Sequence, residues 1–376
     1  KNSLNMYTSD NKKYGLMLSG WLDSRAVLSA YKEFEYLFTS GLSKNNEYEI
    51  AHKVSKFTPS KHIFIKRELS HFDNLLDVAT SVSGLQVYNE AQFLNFSDKI
   101  KINGGSIMIG LYLDILFGGL YLPKKQVNLF GKNLFHHKFL KLPKNNLNEF
   151  YLDNIKYRLK TSNPLTIIKD EFSKKLYDDL KSEVQNIMNK AKSLGAENFN
   201  VWEYMHLHNF SRHYSFPMIE SIRTFSDCRV PALSNELYDL SLNMDPYDKL
   251  DGTPYQYAIN TLCSQMMQID NANTNIKAQW SLKKQSYMKI LYFLTSKLKL
   301  TNYPRNPKIN DRSWPSVREQ LENSHQILKK VYKLHNCEVL DSLKIIDLYK
   351  VKNTVQDHLD GRKDNSVLIN LLLTIS

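Results

Sequence analysis

An apolar run gives way to small polar residues and then resumes at helical spacing in Tyr14-Gly-Leu-Met-Leu-Ser-Gly-Trp-Leu-Asp-Ser-Arg25. This pattern predicts a buried strand, a tight loop and the start of a helix. Backbone N–H groups and the hydroxyls of Ser19 and Ser24 would then meet at the positive end of a helix dipole, which favours anions. We interpret the loop as one that holds the pyrophosphate part of ATP.

Two further segments combine apolar runs with isolated charged residues. Asp114 interrupts the first of them, Ile107-Met-Ile-Gly-Leu-Tyr-Leu-Asp114-Ile-Leu-Phe-Gly-Gly119. Arg229 lies in the second, Glu220-Ser-Ile-Arg-Thr-Phe-Ser-Asp-Cys-Arg229-Val-Pro-Ala-Leu233. A strand followed by a polar turn is the context in which such residues reach a ligand at the end of a sheet.

The three segments together resemble the synthase domain of the asparagine synthetase family, a branch of the ATP pyrophosphatases. The first is similar to Ser-Gly-Gly-x-Asp-Ser, the second to Gly-x-Gly-Gly-Asp-Glu-x-Phe-Gly-Gly, and the third to Glu-x-Arg-x-Pro-Phe-Leu. The ordered matches extend from about Tyr14 to Leu242. The resemblance implies an α/β fold with a doubly wound parallel sheet, of the adenine nucleotide α-hydrolase type, followed by a mainly helical region.

The resemblance also implies a reaction. ATP and Mg²⁺ would activate the carboxylate of a small molecule or peptide by adenylation, and ammonia or another amine would attack it, with release of AMP and pyrophosphate. Synthetases usually carry an N-terminal glutaminase domain, whereas this sequence begins a few residues before its first motif. We therefore expect that domain to be missing here or supplied by a separate glutaminase partner, or free ammonia to take its place.

Four residues depart from the family pattern where the chemistry is done. Trp21 replaces a glycine that lets the backbone approach phosphate without a Cβ in the way. Leu111 stands at the position of the general-base glutamate, and Leu113 and Ile115 flank the aspartate in place of glycine and an acid. These departures motivate a second hypothesis, a catalytically degenerate relative that binds a partner or a nucleotide without turnover.

The candidate binding residues follow the predicted strands. The residues expected to bind the nucleotide are Ser19, Gly20, Asp23, Ser24, Ser40 and Gly41. Asp23 and Asp114 are the candidate ligands of Mg²⁺, because a hard cation takes carboxylate oxygens. The same residue types also occur as helix N-caps and plain turns, so a structural role remains the alternative at each of these positions.

Three charged residues are candidates for catalysis. Arg229 suits an anionic leaving group, although an ion pair with neighbouring acids explains it equally well. Glu220 is the candidate replacement for the missing acid or base. The family lysine has no clean counterpart, and Lys277, Lys283 and Lys284 are candidates by rough position, with Lys277 as our choice.

Composition places the chain among ordinary globular proteins, since 42% of its 376 residues are hydrophobic. No apolar run approaches the ~20 residues needed to cross a bilayer, so a cytoplasmic protein is expected. The net charge of +12 raises the possibility of a tRNA-modifying enzyme. The lysines are dispersed, with no basic run longer than a pair, which favours solvated faces over a nucleic-acid partner.

Cysteines and histidines give no metal signature. Cys228, Cys263 and Cys337 include no Cys-x-x-Cys pair, which removes the usual spacings of zinc and iron–sulfur sites. We expect reduced, buried thiols. The histidines near residue 210 have no acidic ligand at a suitable spacing, so surface or capping roles are expected for His206, His208 and His213.

Strand and helix signals alternate through the first part of the chain. Strands are predicted at residues 14–18, 34–39, 62–66 and 106–110, with helices between them. Such alternation predicts a parallel sheet with its ligand at the carboxyl ends of the strands. Ser19, Ser40, Gly41 and Asp114 all follow these strands, so we expect them to converge on one crevice.

The rest of the chain is predicted to be mainly helical. We divide the sequence into an α/β core at 1–121, an irregular connection or lid at 122–160 and a helical region at 161–376. Apolar residues recur at three and four spacing in the predicted helices, which span 167–194, 202–213, 235–244, 255–268, 285–298, 317–335 and 367–375.

Overall fold

A computed structural model describes residues 1–10, 12–84, 87–100, 105–126, 138–143, 145–155, 163–250, 252–272, 274–298 and 313–376. The chain divides into two compact units, each assembled from three separate segments. Unit 1 contains Lys1–Arg67, Ser97–Lys141 and Phe225–Trp314. Unit 2 contains Glu68–Phe96, Leu142–Thr224 and Pro315–Ser376. Both units therefore combine early and late parts of the sequence.

The strands all belong to unit 1. They are β1 (Tyr14–Met17), β2 (Tyr36–Gly41), β3 (Lys61–Lys66), β4 (Ser106–Ile109), β5 (Lys124–Gln126), β6 (Lys138–Leu140), β7 (Asp227–Arg229), β8 (Asp270–Asn271) and β9 (Ile276–Lys277). Five of them form an all-parallel sheet in the order β3-β2-β1-β4-β7. The pairs β5–β6 and β8–β9 are small antiparallel hairpins.

The middle of the parallel sheet is formed by β1 and β4. Every residue of these two strands is buried, which explains their near-continuous apolar sequences. In the β1–β4 register, Leu16 lies opposite Met108. On one side of β1 lie β2 and β3, which come next in the chain. On the other side lie β4 and β7, which come later. Such a reversal opens a crevice at the carboxyl ends of the two middle strands.

The helices flank this sheet in unit 1 and build all of unit 2. Those of unit 1 are α1 (Asn2–Tyr7), α2 (Leu22–Ala30), α3 (Asn46–Ser55), α5 (Leu113–Phe117), α10 (Asn235–Leu242), α11 (Pro246–Lys249), α12 (Thr253–Met267) and α13 (Leu282–Lys297). Those of unit 2 are α4 (Leu76–Ser83), α6 (Leu147–Ile155), α7 (Asp170–Ser193), α8 (Asn198–Met205), α9 (Arg212–Arg223), α14 (Val317–Asn323), α15 (His325–Lys333), α16 (Glu338–Ser342), α17 (Leu348–Leu359) and α18 (Ser366–Ile375). No described helix has the length and apolar character that crossing a membrane requires.

Unit 2 is held together by two apolar clusters. The larger one joins α4 to the C-terminal helices, with Leu340, Val351, Ile369 and Leu372 almost fully buried. The smaller one surrounds Trp202, between α6, α7 and α8. The chain therefore ends in a helical region, as predicted.

Four predicted strands are confirmed, with shifts of one or two residues at their ends. The fifth, β7, was not predicted, because its three residues place Cys228 between two charged side chains and carry no apolar pattern. The connection at 122–160 is less irregular than expected, since it includes the β5–β6 hairpin and α6. Residues 127–137, 144 and 156–162 lie outside the described part of this connection.

The single helix predicted at 317–335 is wrong. Ser324 has an extended backbone that ends α14, and its side chain accepts from the N–H of Ile327 to start α15. A serine that caps a new helix competes with continuation of the old one, which the apolar spacing alone does not reveal. The helix predicted at 202–213 is also divided, by a π-helical turn at His206–Ser211.

All three cysteines are free thiols. Cys228 and Cys263 are buried as expected, whereas Cys337 is only half-buried. His206 corrects the expectation of a surface or capping histidine, because it is buried beside the rings of Tyr151 and Trp202. Burial lowers the pKa of His206 to about 3. The side chain of His213 lies outside the described residues.

Candidate functional site

The turn that follows β1 is closed by its own serine side chains. The N–H of Ser19 donates to Oγ of Ser24 at 3.0 Å, and the N–H of Trp21 donates to Oγ of Ser19 at 3.3 Å. The two hydroxyl oxygens are 3.1 Å apart. Both hydroxyls and the start of α2 therefore lie together at the carboxyl end of β1, as the sequence predicts, and two of the turn's N–H groups are used within it.

Gly20 occupies the tightest point of the turn. A Cβ on Gly20 would lie 2.7 Å from Cβ of Ala272, so no larger residue fits without displacing the β8–β9 hairpin. The carbonyl of Gly20 accepts from the N–H of Ala272 at 3.1 Å. Cγ of Glu47, in the first turn of α3, lies 3.3 Å from where a Cβ of Gly20 would be. An acidic side chain of the same protein therefore packs next to the turn.

Trp21 does not fill the turn. Its side chain is 41% exposed, and its backbone serves as the N-cap of α2 without a side-chain hydrogen bond. The N–H groups of Ser19 and Trp21 have their acceptors, Ser24 and Ser19, within the turn. The side chain that packs next to Gly20 is Glu47.

Two carboxylates meet at the carboxyl ends of β1 and β4. Asp23 accepts from the hydroxyl of Tyr255 at 2.7 Å. Burial, together with the negative charge of Asp114, raises the pKa of Asp23 well above its usual range. The pKa of the buried Tyr255 phenol is raised as well, so it remains a proton donor to Asp23. The two residues predicted to hold a metal are therefore neighbours.

Gly110 permits the close approach of these two strand ends. A Cβ on Gly110 would lie 2.7 Å from the backbone C of Asp23 and from the backbone N of Ser24. Backbone atoms cannot move aside as a flexible side chain can. The position of α2 therefore requires a glycine directly after β4.

We expect Gly110→Ala to lower the free energy of unfolding by about 2–3 kcal/mol, the upper range for added volume at a packed site. Gly41→Ala is the matched control, since its Cβ would make only ordinary contacts at 3.4 Å and beyond. Urea denaturation followed by circular dichroism measures both. Equal stability of the two variants would show that α2 has room to move away from β4.

Tyr112 has a left-handed backbone in the loop between β4 and α5. Its φ of 75° is unfavourable for a bulky residue, yet it forms the N-cap of α5 and its side chain is buried. This conformation begins α5, whose second residue is Asp114. A glycine would adopt it without strain. The turn is therefore formed here by a residue type that does not favour it.

Arg25 links the turn to the end of α12 and to β8. Its guanidinium is fully buried and donates to the carbonyls of Met266 and Ile269 at 3.0 Å, of Asp270 at 2.9 Å and of Gly20 at 3.4 Å. Burial lowers its pKa to about 10, so the side chain stays charged at neutral pH. The end of α12, β8 and the turn after β1 are therefore joined through one side chain.

The carboxyl end of β2 is covered by residues from the end of unit 1. Ser313 is buried, and its Cα lies 3.5 Å from where a Cβ of Gly41 would be. Its hydroxyl donates to the carboxylate of Glu47 and accepts from Nδ2 of Asn45 at 3.0 Å. Gly41 thus adjoins the serine that bonds Glu47, while Ser40 is half-buried in the same strand. The strand ends after β1, β2 and β4 converge, as predicted.

Arg229 lies apart from these strand ends. Its Nη2 is 2.6 Å from Oδ2 of Asp10, its Nε is 2.8 Å from Oδ2 of Asp227, and it also donates to the carbonyl of Tyr7. The hydrogen bond from Arg229 holds the pKa of Asp10 well below its usual range. The guanidinium is thus engaged in ion pairs that join α1 to β7, which is the structural alternative stated above.

The other two predicted catalytic residues differ in position. Lys277 is exposed on β9, and its backbone lies opposite that of Asp270 in the β8–β9 hairpin. This hairpin contacts the turn after β1. Glu220 belongs to unit 2, where its Oε1 is 2.7 Å from Nη1 of Arg223. Within unit 1, Lys277 is therefore the predicted catalytic residue whose hairpin adjoins the turn after β1.

Comparisons with known proteins give no family. No family model matches this chain, and none of the curated proteins matches it. The resemblance therefore continues to depend on the three quoted segments.

The site can hold an anion or a cation, but at different places. The turn after β1 offers hydroxyls and helix N-terminal groups, whereas the Asp23–Asp114 pair offers carboxylate oxygens. Among the described residues, no group of three or more His, Cys, Asp or Glu side chains forms a metal cluster. Two carboxylates suffice for Mg²⁺ when phosphates and water complete its shell. The arrangement is thus suited to a metal–polyphosphate ligand.

The sequence did not reveal the residues that support the loop. Tyr255 lies on a predicted helix with no motif around it, and Glu47 is an ordinary acid in the first turn of α3. Arg25 directly follows the first motif. Its one sequence signal is that a charged residue stands at the start of an otherwise buried helix.

Proposed function

We propose that the protein is an ATP-dependent amide-forming ligase that resembles the asparagine synthetase synthase domain. It would adenylate a carboxylate and transfer it to ammonia or another amine, with release of AMP and pyrophosphate. One observation carries the proposal: the serine turn after β1 and the Asp23–Asp114 pair meet where the strand order of a parallel sheet reverses. The same strand order supports our proposal that the sheet is of the adenine nucleotide α-hydrolase type.

The residues of unit 1 would divide the work of binding. The hydroxyls of Ser19 and Ser24 and the first turn of α2 would hold phosphate oxygens, and Ser40 and Gly41 would border the nucleoside. Lys277 would add positive charge near the phosphates, since its hairpin contacts Gly20. Arg229 and Glu220 receive no role in this scheme, because both have ion-pair partners elsewhere.

The donor set of Asp23 and Asp114 fits a divalent cation. The charge of one carboxylate raises the pKa of the other, and a shared cation removes that repulsion. Mg²⁺, when bound, would neutralise charge on the polyphosphate. Tyr255 would orient Asp23 through its 2.7 Å hydrogen bond.

A second candidate is supported by the position of Glu47, whose Cγ lies 3.3 Å from where a Cβ of Gly20 would be. A carboxylate beside a phosphate-binding turn opposes the binding of another anion. This contact, together with Trp21, favours the alternative of a catalytically degenerate protein that binds a partner or nucleotide without turnover. The two candidates predict opposite results in one assay.

The assay mixes the protein with Mg-ATP, ammonia and a panel of carboxylates, and it measures pyrophosphate. A ligase is expected to release pyrophosphate only when its carboxylate is present, and Asp114→Asn is expected to reduce the rate at least a hundredfold. Asp98→Asn, an exposed residue of unit 1 with the same charge change, is the matched control and should keep the rate. No release from any mixture, with no ATP binding by calorimetry, would leave the degenerate protein.

A further inference from the structure

An apolar stripe lies on the outer face of α13 in unit 1. Its four side chains are each at least 38% exposed, and they are Tyr287, Leu291, Leu294 and Leu298. Their spacing of four, three and four positions places them on one face of the helix. The N–H of Leu298 donates to the carbonyl of Leu294 at 3.0 Å, so the helical geometry continues to the last of them. We call this set the α13 stripe.

The opposite face of α13 is buried. Gln285, Ser286 and Phe293 lie on that face, and Nε2 of Gln285 donates to the carbonyl of Trp280 at 2.7 Å. The helix is therefore held by one face, while the apolar side chains of the other face remain in contact with water. Contiguous exposed apolar side chains of this kind mark an interaction surface.

The charges that α13 carries are all positive. Its 16 residues include four lysines and no aspartate or glutamate. The exposed Lys283 and Lys284 come one helical turn before Tyr287, and the exposed Lys297 comes three positions after Leu294. Residues three and four positions apart are neighbours on a helix surface, so cations flank the α13 stripe at both ends. A partner that complements this surface must combine apolar groups with negative charge.

A second copy of the chain does not meet this requirement. Packing of the α13 stripe on itself would bring the lysines of one helix against those of the other. The chain as a whole has a net charge of +12. Like charges placed opposite each other oppose association.

A flat anionic surface fits the α13 stripe better than a helix of another protein does. Coiled-coil pairing needs apolar positions over three or more heptads, whereas the stripe spans less than two. Leucine and tyrosine side chains enter the layer between headgroups and acyl chains of a bilayer, and lysines reach anionic headgroups with their flexible stems. At 16 residues the helix is shorter than the ~20 residues needed to cross a bilayer, so it would lie along the surface.

We propose that the α13 stripe, together with Lys283, Lys284 and Lys297, docks the protein on the surface of an anionic membrane. The apolar side chains enter the interfacial layer, and the lysines contact the headgroups of anionic lipids. The net charge of +12 adds a long-range attraction to the same surface. The inference goes beyond the proposed ligase activity, which uses none of these residues.

Sedimentation with lipid vesicles tests the inference. The wild type is expected to pellet with vesicles of equal parts phosphatidylcholine and phosphatidylserine, and to bind at least tenfold more weakly to phosphatidylcholine alone. Added salt should weaken the binding, because part of the attraction is electrostatic. Absence of binding to the anionic vesicles overturns the inference.

The double variant Leu291→Glu/Leu294→Glu is expected to lose at least tenfold in affinity for the anionic vesicles. Leu180→Glu/Leu194→Glu is the matched control, because it makes the same change at two exposed leucines of unit 2, and it should stay within twofold of the wild type. Circular dichroism establishes that each variant is folded. Equal losses in the two double variants overturn the inference, since added negative charge would then be the cause.

Leu298→Glu keeps the test decisive if the double variant fails to fold. Leu298 is the most exposed member of the α13 stripe and lies at the end of the helix, so its substitution disturbs no packed face. A loss of at least threefold in affinity for the anionic vesicles is expected. Unchanged affinity overturns the inference.

The lysines are tested in the same assay. Lys283→Glu/Lys284→Glu is expected to lose at least fivefold in affinity for the anionic vesicles. Lys174→Glu/Lys175→Glu makes the same charge change at an exposed lysine pair on α7 and should lose less than twofold. Equal losses overturn the inference, because net charge alone would then explain the binding.

A protein partner is a separate outcome of these experiments. The probe is a synthetic helical peptide with leucines at heptad spacing and glutamates beside them, and fluorescence anisotropy measures its binding. Tight binding of this peptide to the wild type, with no binding to vesicles, overturns the membrane proposal and assigns the α13 stripe to an acidic helix.

Discussion

Arg25→Ala is expected to lower the free energy of unfolding of unit 1 by about 3–5 kcal/mol, the cost of removing one partner from a buried charged network. The guanidinium of Arg25 is fully buried and supplies hydrogen bonds to four carbonyls. Alanine would remove this donor from all four carbonyls, of which that of Gly20 would keep the N–H of Ala272. Each unsatisfied buried polar group costs about 1–3 kcal/mol, and these costs are not additive.

Urea denaturation followed by circular dichroism measures this change. Arg25→Lys should recover part of the loss, because an ammonium group keeps the charge but cannot reach all four carbonyls. Lys13→Ala removes an exposed cation that pairs with Glu35 and should change stability by less than about 1 kcal/mol. A loss below 1 kcal/mol in Arg25→Ala would mean that α12 and β8 stay in place without this side chain.

The second large effect is a pH dependence that Asp23→Asn should remove. Because the pKa of Asp23 is raised by burial and by Asp114, the folded protein binds its proton more tightly than the unfolded chain does. The stability from this proton is fully present below the ordinary carboxyl pKa of about 4 and is lost as pH rises through the higher folded pKa. As pH rises above the ordinary carboxyl pKa, the wild type therefore loses stability that a variant with asparagine, which does not titrate, keeps.

We expect Asp23→Asn to be more stable than the wild type at pH 7 by at least about 1 kcal/mol, since one unit of pKa corresponds to ~1.4 kcal/mol. The difference should shrink toward zero near pH 4. Denaturation of both proteins between pH 4 and pH 8 measures it, with the exposed Asp98→Asn as the charge-matched control. A difference that is constant over this range would contradict a raised pKa at Asp23.

The sequence predicts the local parts of this molecule well. The alternation of apolar strands and helices gave the parallel sheet, and the polar residues after β1, β2 and β4 converge as predicted because their strands are parallel neighbours. Asp23 and Asp114 were both selected from the sequence, and they are neighbours in the structure. The predictions that succeeded depend on spacing within one element or on the rule that parallel strands end at one edge.

What the sequence did not reveal depends on contacts between distant residues. Arg25 bonds the carbonyls of Met266 and Asp270, and Glu47 accepts from the hydroxyl of Ser313. Neither contact follows from local spacing, since a charged residue at the start of a helix is usually exposed. Ser324 divides a predicted helix for a related reason. Whether a serine caps a new helix depends on its tertiary environment as well as on the local sequence.

The late position of β7 in the chain matters while the protein is being made. Residues 227–229 complete the sheet by pairing with Ser106, Ile107 and Met108, yet the ribosome delivers them long after β4 has emerged. During that interval one edge of an apolar strand has no partner, and an open edge of this kind can pair with another nascent chain. Synthesis is therefore the stage at which this protein is most prone to aggregate.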